Sequence, residues 1–240
     1  MKKQRIWELD ALRGAALLVM IVIHLVYDLV ELTGLLSWQE PGWYLFIKNN
    51  CGGVFLVISG ISVTLGSHCV RRGVQVIAGG LLCTAVTAGM YFLGLSGGSI
   101  IIWFGVLHCL GVCMLLWAVL GKLPDWSVLA LGVGLTALGL VLQGRCFNVH
   151  WSLIPLGLTP DWFTSSDYFP LLPHLGYFLL GAVLGRRIYR EKKTRFPGAN
   201  PSREPVRLLC RMGRNSLAIY LLHQPVLMAV VYLLQWLQIK

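Results

Sequence analysis

The stretch LDALRGAALLVMIVIHLVYDL, residues 9–29, carries ionisable side chains inside an apolar run long enough to span a membrane. Arg13 and His24 are eleven residues apart, about three turns of α-helix, so their side chains share one face. Asp10 and Asp28 fall within about 60° of Arg13 on the same helix. Ionisable groups in a spanning helix cost roughly 2.5–3.5 kcal/mol each on insertion scales and normally face protein or a wet cavity. This polar stripe is therefore predicted to be functional.

Composition predicts an all-α polytopic membrane protein with one domain over residues 1–240. Of the 240 residues, 56% are hydrophobic and only 12% are charged, and apolar runs of spanning length recur along the chain. We predict about seven transmembrane helices, with boundaries as follows: Ala11 to Leu32, Trp43 to Gly66, Gly73 to Leu95, Ser99 to Leu120, Trp126 to Gly144, Tyr168 to Gly185 and Ser216 to Leu237.

The lysines and arginines predict a cytoplasmic N-terminus and an outside C-terminus, because cytoplasmic loops hold the excess of positive charge. With seven spans, the outer side carries mainly Arg145 and Lys240. The cytoplasmic side carries the other basic residues, namely Lys2, Lys3, Arg5, Arg71, Arg72, Lys122 and the cluster from Arg186 to Arg214. A half-inserted eighth segment around Val149 to Trp162 is the alternative. We expect the protein in the plasma (inner) membrane, in contact with membrane lipids.

The net charge of +10 reflects this topology together with attraction to anionic headgroups, and it does not predict nucleic-acid binding. Residues 186–215 form a basic cytoplasmic loop, for which a solvated linker is favoured over phosphate binding. Seven scattered cysteines predict neither a disulfide framework nor a metal site. Glycine-rich stretches would permit helix packing in a homodimer.

Three further histidines, His108, His174 and His223, fall inside predicted spans. By helical rise, His24, His108 and His223 are expected near mid-bilayer and His174 nearer the outer surface. Each alone is more often a hydrogen-bonded packing residue than a catalyst, but four together favour a functional cluster.

His24 has the strongest support, because Asp28, one turn on, is placed to fix its tautomer and stabilise an imidazolium. The alternative is that Asp10 and Arg13 form a helix-entry ion pair while Asp28 extends outward. His223 is followed by Gln224 and by a proline that can kink the helix.

The opening stretch resembles the first helix of the heparan-α-glucosaminide N-acetyltransferase catalytic-domain family, especially its short bacterial branch. Later segments are similar to that branch in order and spacing, so the resemblance covers nearly the whole chain: GVLHCLG at Gly105 to Gly111, YFPLLPHLGYFLLG at Tyr168 to Gly181 and GRNSLAIYLLHQPVL at Gly213 to Leu227. The Arg, ten residues, His pattern also resembles the transmembrane acyltransferases that O-acetylate bacterial surface glycans. In that group the Arg and His are functional, which implies Arg13 and His24 here.

The resemblance implies an acetyltransferase that moves acetyl from cytoplasmic acetyl-CoA to an acceptor on the far side, often a sugar or glycan amine or hydroxyl. His24 would be general base or acyl carrier, supported by Asp28 and Arg13. Residues expected to hold the acetyl-CoA are Arg13, Asp10, Arg71, Arg72 and Arg214. Residues expected on the acceptor side are Asn49, Asn50, His108, His174, His223 and Gln224.

Two other functions compete with this hypothesis. The same stripe could line the pathway of a transporter or the site of a lipid- or ligand-binding protein without covalent chemistry. An odd number of spans and weak internal symmetry count against the inverted-repeat transporters. A b-type haem protein is disfavoured, because each histidine occupies a different predicted span.

Overall fold

The computed structural model describes residues 5–147, 149–199 and 201–238, so Lys2, Lys3 and Lys240 of the topology prediction lie outside the described residues. Among the described residues the regular structure is helical, with no β-strand and two isolated bridges. The α-helices in these ranges are α1 (Trp7–Tyr27), α2 (Gly42–Val63), α3 (Cys69–Phe92), α4 (Val106–Leu120), α5 (Asp125–Leu142), α6 (Leu171–Ile188), α7 (Val206–Arg214) and α8 (Ser216–Gln238).

Five helical segments in the described part of the chain are long and apolar enough to cross a membrane: Trp7–Glu31, Gly42–Val63, Cys69–Phe92, Asp125–Leu142 and Ser216–Leu237. They correspond to the first, second, third, fifth and seventh predicted spans. The protein is thus a helical, polytopic membrane protein, while the number of spans and the orientation of the termini stay predictions.

The other two predicted spans differ from the structure. The fourth begins at Val106 rather than at Ser99, because Gly98–Ile100 form one 3₁₀ turn and the apolar residues after it are extended. Side chains of α3 bind that extended backbone: the Thr84 hydroxyl donates to the Ile102 carbonyl at 2.6 Å, and the Ile102 N–H donates to Thr87 Oγ1 at 3.1 Å. With its polar backbone groups paired in this way, an apolar segment does not need to be helical.

The sixth helix, α6, begins at Leu171 rather than at Tyr168 and carries Arg186 and Arg187 in its last turn. It is not among the five spanning candidates. Pro170, which has extended backbone angles, precedes its first residue. A proline biases the residue before it away from helical angles. Pro170 acts in this way on Phe169, and Pro173 acts on Leu172, which has extended angles within the first turn of α6, so the regular helix starts late.

The chain forms two compact units. The first comprises Met1–Phe55 and Lys193–Lys240, and the second comprises Leu56–Lys192. The first unit therefore holds α1, the start of α2, α7 and α8, and the second holds the end of α2 together with α3 to α6.

In the first unit α7 packs along α1 through two glycines. A Cβ on Gly14 would meet the Leu209 carbonyl oxygen, and one on Gly213 would meet the carbonyl oxygen of Asp10. Small residues at such positions let helix backbones approach closely. The prediction of a solvated linker over residues 186–215 is therefore wrong for α7, which is packed rather than solvated.

The segment that leads into α7 is held by Glu8 of α1, whose side chain is buried. Its two carboxylate oxygens accept the Thr194 hydroxyl and the Arg195 backbone N–H, each at 2.8 Å. A buried carboxylate needs such donors to offset its lost hydration. This pairing fixes residues 194–195 against the beginning of α1.

In the second unit α6 lies against the end of α2 and against α5. A Cβ on Gly181 would meet the Val57 carbonyl oxygen, and one on Gly60 would meet that of Phe178. Phe178 and Leu179 are fully buried. Backbone-to-backbone contact at glycines therefore sets the helix spacing in this unit.

Two matched substitutions test this packing. Gly181→Ala should lower the thermal stability, because the added methyl group overlaps the Val57 carbonyl and overpacking costs about 1–3 kcal/mol. Gly134→Ala in α5 should raise it slightly, since nothing lies within 4 Å of that Cβ and alanine is about 1 kcal/mol better than glycine inside a helix. Melting curves of both variants in one detergent check the pair, and equal shifts would contradict the packing.

Candidate functional site

The first group of predicted site residues lies at the beginning of α1 and the end of α7, and we call Asp10, Arg13 and Arg214 the arginine cluster. Asp10 lies between the two arginines, with its carboxylate oxygens 4.0 Å from Arg13 Nη1 and 3.8 Å from Arg214 Nε. These distances allow charge attraction but exceed hydrogen-bond range. The three side chains sum to one positive charge, on a surface where Arg214 is about half exposed.

Cys210 lies beside this cluster on α7. Burial, with a further contribution from the nearby Asp10 carboxylate, raises the pKa of its thiol. The thiol donates to the Trp7 carbonyl at 3.4 Å. Cys210 is therefore a protonated packing residue at neutral pH and not a nucleophile.

The second group lies further along α1 and on α8, and we call His24, Asp28, His223 and Gln224 the histidine cluster. The imidazole rings of His24 and His223 are 4.9 Å apart between centroids and meet edge to face at 84°. Residues separated by almost the whole chain thus form one side-chain cluster within the first unit.

The backbone fixes the tautomers of both histidines. His24 Nδ1 lies 2.9 Å from the Met20 carbonyl oxygen, and His223 Nδ1 lies 2.6 Å from that of Tyr220. A carbonyl oxygen only accepts hydrogen bonds, so each Nδ1 carries the hydrogen. The Nε2 atom of each neutral ring is therefore the basic nitrogen.

Asp28 is completely buried and begins a π-helical turn over Asp28–Leu32. Both of its carboxylate oxygens accept from the Gln224 side-chain nitrogen, at 2.9 and 3.1 Å. The amide thus presents its NH₂ group to the carboxylate, and its oxygen points away from it. Such π turns inside helices frequently occur at functional sites.

Asp28 and His24 do not form the predicted hydrogen bond. His24 binds its own helix backbone, and the carboxylate is held by Gln224 instead. The alternative is confirmed for the ion pair of Asp10 with Arg13 and wrong for Asp28, whose side chain is buried rather than extended outward. Asp28 keeps the helical register of His24, since its backbone N–H still donates to the His24 carbonyl, and the π turn begins at its own carbonyl, which accepts the Thr33 N–H. Its carboxylate is bound by the Gln224 amide, which donates to both oxygens.

Two acceptor atoms of the histidine cluster are buried without a hydrogen-bond partner among the described residues, namely His223 Nε2 and Gln224 Oε1. A buried unsatisfied acceptor costs about 1–3 kcal/mol. Together with His24 Nε2, these atoms give the cluster three acceptor positions. Such a set is suited to a ligand that presents O–H or N–H donors.

The amides predicted on the acceptor side lie elsewhere on the first unit. Asn49 and Asn50 are both exposed on α2, and Asn50 donates to the Phe46 carbonyl of its own helix at 2.8 Å. Neighbouring Lys48 pairs with Glu40 at 2.7 Å. The structure therefore gives these amides no contact with the histidine cluster.

His108 and His174 belong to the second unit, where each is bonded separately. His108 lies in the first turn of α4, not at mid-helix, and its Nδ1 accepts the Gly105 N–H at 3.2 Å. Its Nε2 lies 3.4 Å from Thr84 Oγ1, so both ring nitrogens are used. His174 Nδ1 lies 2.7 Å from the Pro170 carbonyl. These contacts make His108 a helix cap and His174 a backbone-bonded residue of α6.

Arg71 and Arg72 are exposed in the first turn of α3, also in the second unit. The Arg72 guanidinium lies beside Gly66, where a Cβ would meet its Nη1 at 2.8 Å. Both arginines stay predicted donor-binding residues. Among the described residues, no group of three or more His, Cys, Asp or Glu side chains is placed to hold a metal ion.

Sequence reasoning missed Tyr220, whose ring centroid lies 5.4 Å from that of His223 and whose carbonyl fixes the tautomer of this histidine. The three-residue spacing to His223 on one helix would have indicated the contact. It also missed the Met20 carbonyl, which has the same role for His24.

The Asp28–Gln224 hydrogen bonds can be tested by a double-mutant cycle. Gln224→Leu should lower the free energy of unfolding by about 1–3 kcal/mol, because it leaves a buried carboxylate without its hydrogen-bond donor. Asp28→Leu combined with Gln224→Leu should recover most of that loss, since both partners become apolar. The measurement is thermal unfolding in detergent, with Gln143→Leu as an exposed control. A Gln224→Leu melt indistinguishable from the control melt would contradict the assigned bond.

One of three comparisons with known proteins finds a match. No curated protein and no solved structure matches the chain. The sequence profile of the family described as heparan-alpha-glucosaminide N-acetyltransferase, catalytic, matches residues 5–225 of the 240. This match covers α1 to α7 and both clusters. The chain therefore belongs to the heparan-alpha-glucosaminide N-acetyltransferase catalytic family, whose members are membrane acetyltransferases.

Proposed function

We propose that this protein is a membrane-embedded acyltransferase that moves an acetyl group from cytoplasmic acetyl-CoA to a sugar or glycan amine or hydroxyl at the outer side. His24 serves as the general base or as the acyl carrier. The single observation that carries the proposal is the histidine cluster, in which two backbone-fixed imidazoles meet edge to face beside the buried Asp28 and its partner Gln224.

Both roles of His24 depend on the same atom. Because Nδ1 donates to the Met20 carbonyl, the lone pair is on Nε2, which either accepts a proton or attacks a carbonyl carbon. The backbone bond also fixes the ring orientation, as the third member of a catalytic triad does. Asp28 lies one turn further along the same helix, where its buried side chain is held by Gln224.

The transfer step balances as follows. The acceptor oxygen or nitrogen attacks the acetyl carbonyl carbon, and its proton passes to His24 Nε2. The new carbon–heteroatom bond forms as the carbon–sulfur bond breaks, and the CoA sulfur leaves as a thiolate that takes up the proton. If His24 is the acyl carrier, Nε2 first displaces the CoA thiolate and bonds the acetyl carbon. The acceptor then attacks that carbon, the carbon–nitrogen bond breaks, and the freed Nε2 takes up the acceptor's proton and passes it to the thiolate.

The unpartnered acceptors support placing the acyl acceptor here. His223 Nε2 and Gln224 Oε1 accept hydrogen bonds, which suits a sugar amine or hydroxyl. A thioester carbonyl has no hydrogen to donate and gains nothing from these atoms. We therefore assign His223 and Gln224 to positioning the acceptor beside His24.

The arginine cluster is the proposed attachment point for the donor. Its net positive charge favours the phosphates of acetyl-CoA, and guanidinium groups bind phosphate with two parallel hydrogen bonds. Arg13 precedes His24 by eleven residues on α1, which is about 16 Å along the helix axis. A long donor molecule can therefore contact Arg13 at the membrane surface while its thioester reaches the depth of His24.

Calorimetry with acetyl-CoA tests the division of roles along α1. Arg13→Ala should weaken binding, because it removes a phosphate-binding cation, whereas His24→Ala should largely retain it. His150→Ala, which removes an exposed histidine of the second unit, is the control. Absence of binding in every form would contradict the proposal and favour a transporter or ligand-binding protein.

Acetyl transfer to a glucosamine acceptor tests the base. His24→Ala should lower kcat by about 10²–10⁴-fold, the usual contribution of a positioned general base. His223→Ala should raise KM for the acceptor more than KM for acetyl-CoA. A folded His24→Ala variant with full transfer activity would remove the role assigned to this residue.

A further inference from the structure

A cavity of about 160 Å³ lies where α6 ends in the second unit, lined by Thr64 on one side and by Arg186, Arg190 and Lys192 on the other. We call it the α6-end cavity. No carboxylate lines it. It shares no residue with the arginine and histidine clusters, and the proposed acyl transfer uses none of its residues.

Glycine packing builds this cavity. A Cβ on Gly185 would lie 2.7 Å from both the Ile61 carbonyl oxygen and Thr64 Oγ1, so the absence of a side chain brings the end of α2 against the last turn of α6. Tyr189, which is 8% exposed, adds a wall immediately after the helix. The cavity thus has fixed sides made of two helix ends and a buried ring.

Arg186 supplies a cation whose position is also fixed. Its guanidinium donates to Asp125 Oδ1 at 2.9 Å, to the Leu123 carbonyl at 3.0 Å and to the Gly121 carbonyl. It also lies over the Trp117 ring, 4.8 Å from the centroid. Asp125 offsets its charge, so the net positive charge of the cavity comes from the two other cations.

Arg190 and Lys192 are exposed, and in the described part of the chain neither side chain has a hydrogen-bond or ion-pair partner. Attraction to a helix C-terminus explains cations in the last turn, such as Arg186 and Arg187. Lys192 lies beyond that turn, so this attraction does not explain it. Solvation alone would explain one exposed cation at this place. Arg190 and Lys192, however, both line the same cavity.

Lys192 also has an unusual backbone, with φ at 55°. This left-handed conformation is uncommon for a residue with a Cβ and is one that glycine adopts readily. Residues held in such conformations concentrate at ligand-binding and switch positions. A lysine in this conformation favours a role for its ammonium group in binding a ligand.

We propose that the α6-end cavity binds a phosphate group. Arginine and lysine are the two side chains that bind phosphate most often, and the cavity volume corresponds to roughly five water molecules at about 30 Å³ each. Basic pockets at the ends of membrane helices bind the phosphates of anionic headgroups. The phosphate is carried either by an anionic phospholipid or by a soluble phosphate ester.

The test compares the unaltered 240-residue chain with a double variant, Arg190→Ala with Lys192→Gly. Glycine at 192 removes the ammonium group while favouring the observed φ, so a loss of binding does not report a strained backbone. Arg187→Ala is the matched control, because Arg187 is exposed in the same turn but does not line the cavity.

In the first arm, native mass spectrometry counts phosphatidylglycerol retained by each protein from mixed micelles with phosphatidylcholine. The double variant should lose roughly tenfold to thirtyfold in affinity for the anionic lipid, as expected for two surface cations. Phosphatidylcholine retention and the Arg187→Ala control should be unchanged.

In the second arm, calorimetry measures binding of inorganic phosphate in micelles that contain only neutral lipid. Weaker binding of phosphate by the double variant, with phosphatidylglycerol retention unchanged, would keep the phosphate site and assign it to a soluble ester. Unchanged binding in both arms would overturn the proposal. Because neither arm measures acetyl transfer, either result leaves the proposed acyltransferase activity to its own tests.

Discussion

The constraint on which the first unit depends is the buried carboxylate of Asp28. A carboxyl group without exposed surface needs hydrogen-bond partners, and both of its oxygens accept from the same Gln224 amide nitrogen. This requirement fixes α8 against the end of α1 at the level of the two histidines. It also determines the direction of the Gln224 amide, because the NH₂ group faces the carboxylate and the oxygen is left as an acceptor. The buried side chain of Asp28 therefore sets both the packing and the polarity of the candidate site.

That polarity separates the proposed roles of the two clusters. The histidine cluster offers basic nitrogens and an amide oxygen, all of which accept hydrogen bonds, and the arginine cluster offers net positive charge. A molecule that donates hydrogen bonds matches the first, and a polyanion matches the second. The two substrates of an acetyl transfer from acetyl-CoA to an amine or hydroxyl have these properties. The chemistry of the clusters thus supports two substrates meeting along α1.

The helical periodicity of α1 was readable in the sequence, and so was the stripe containing Arg13 and His24, because 3.6 residues per turn fixes which residues share a face. The bond between Asp28 and Gln224 was not readable, since the two residues are 196 positions apart and only folding brings them together. Hydropathy also predicted the start of the fourth span wrongly, because the residues after Ile100 are as apolar as a spanning helix. They are extended instead, since Thr84 and Thr87 bind the backbone of Ile102. Side-chain pairing of backbone groups has no periodic signature.

Because Arg13 and His24 lie on one continuous helix, the number of residues between them fixes the distance and the angle between their side chains. Inserting one residue between Arg13 and His24 would rotate the histidine by about 100° around the helix and move it about 1.5 Å along the axis. The rotation is the more severe effect, because it takes His24 away from His223 while α7 still holds the beginning of α1 through Gly14 and Gly213. Packing at one end and the Asp28 carboxylate at the other thus keep the two clusters in register on a single helix.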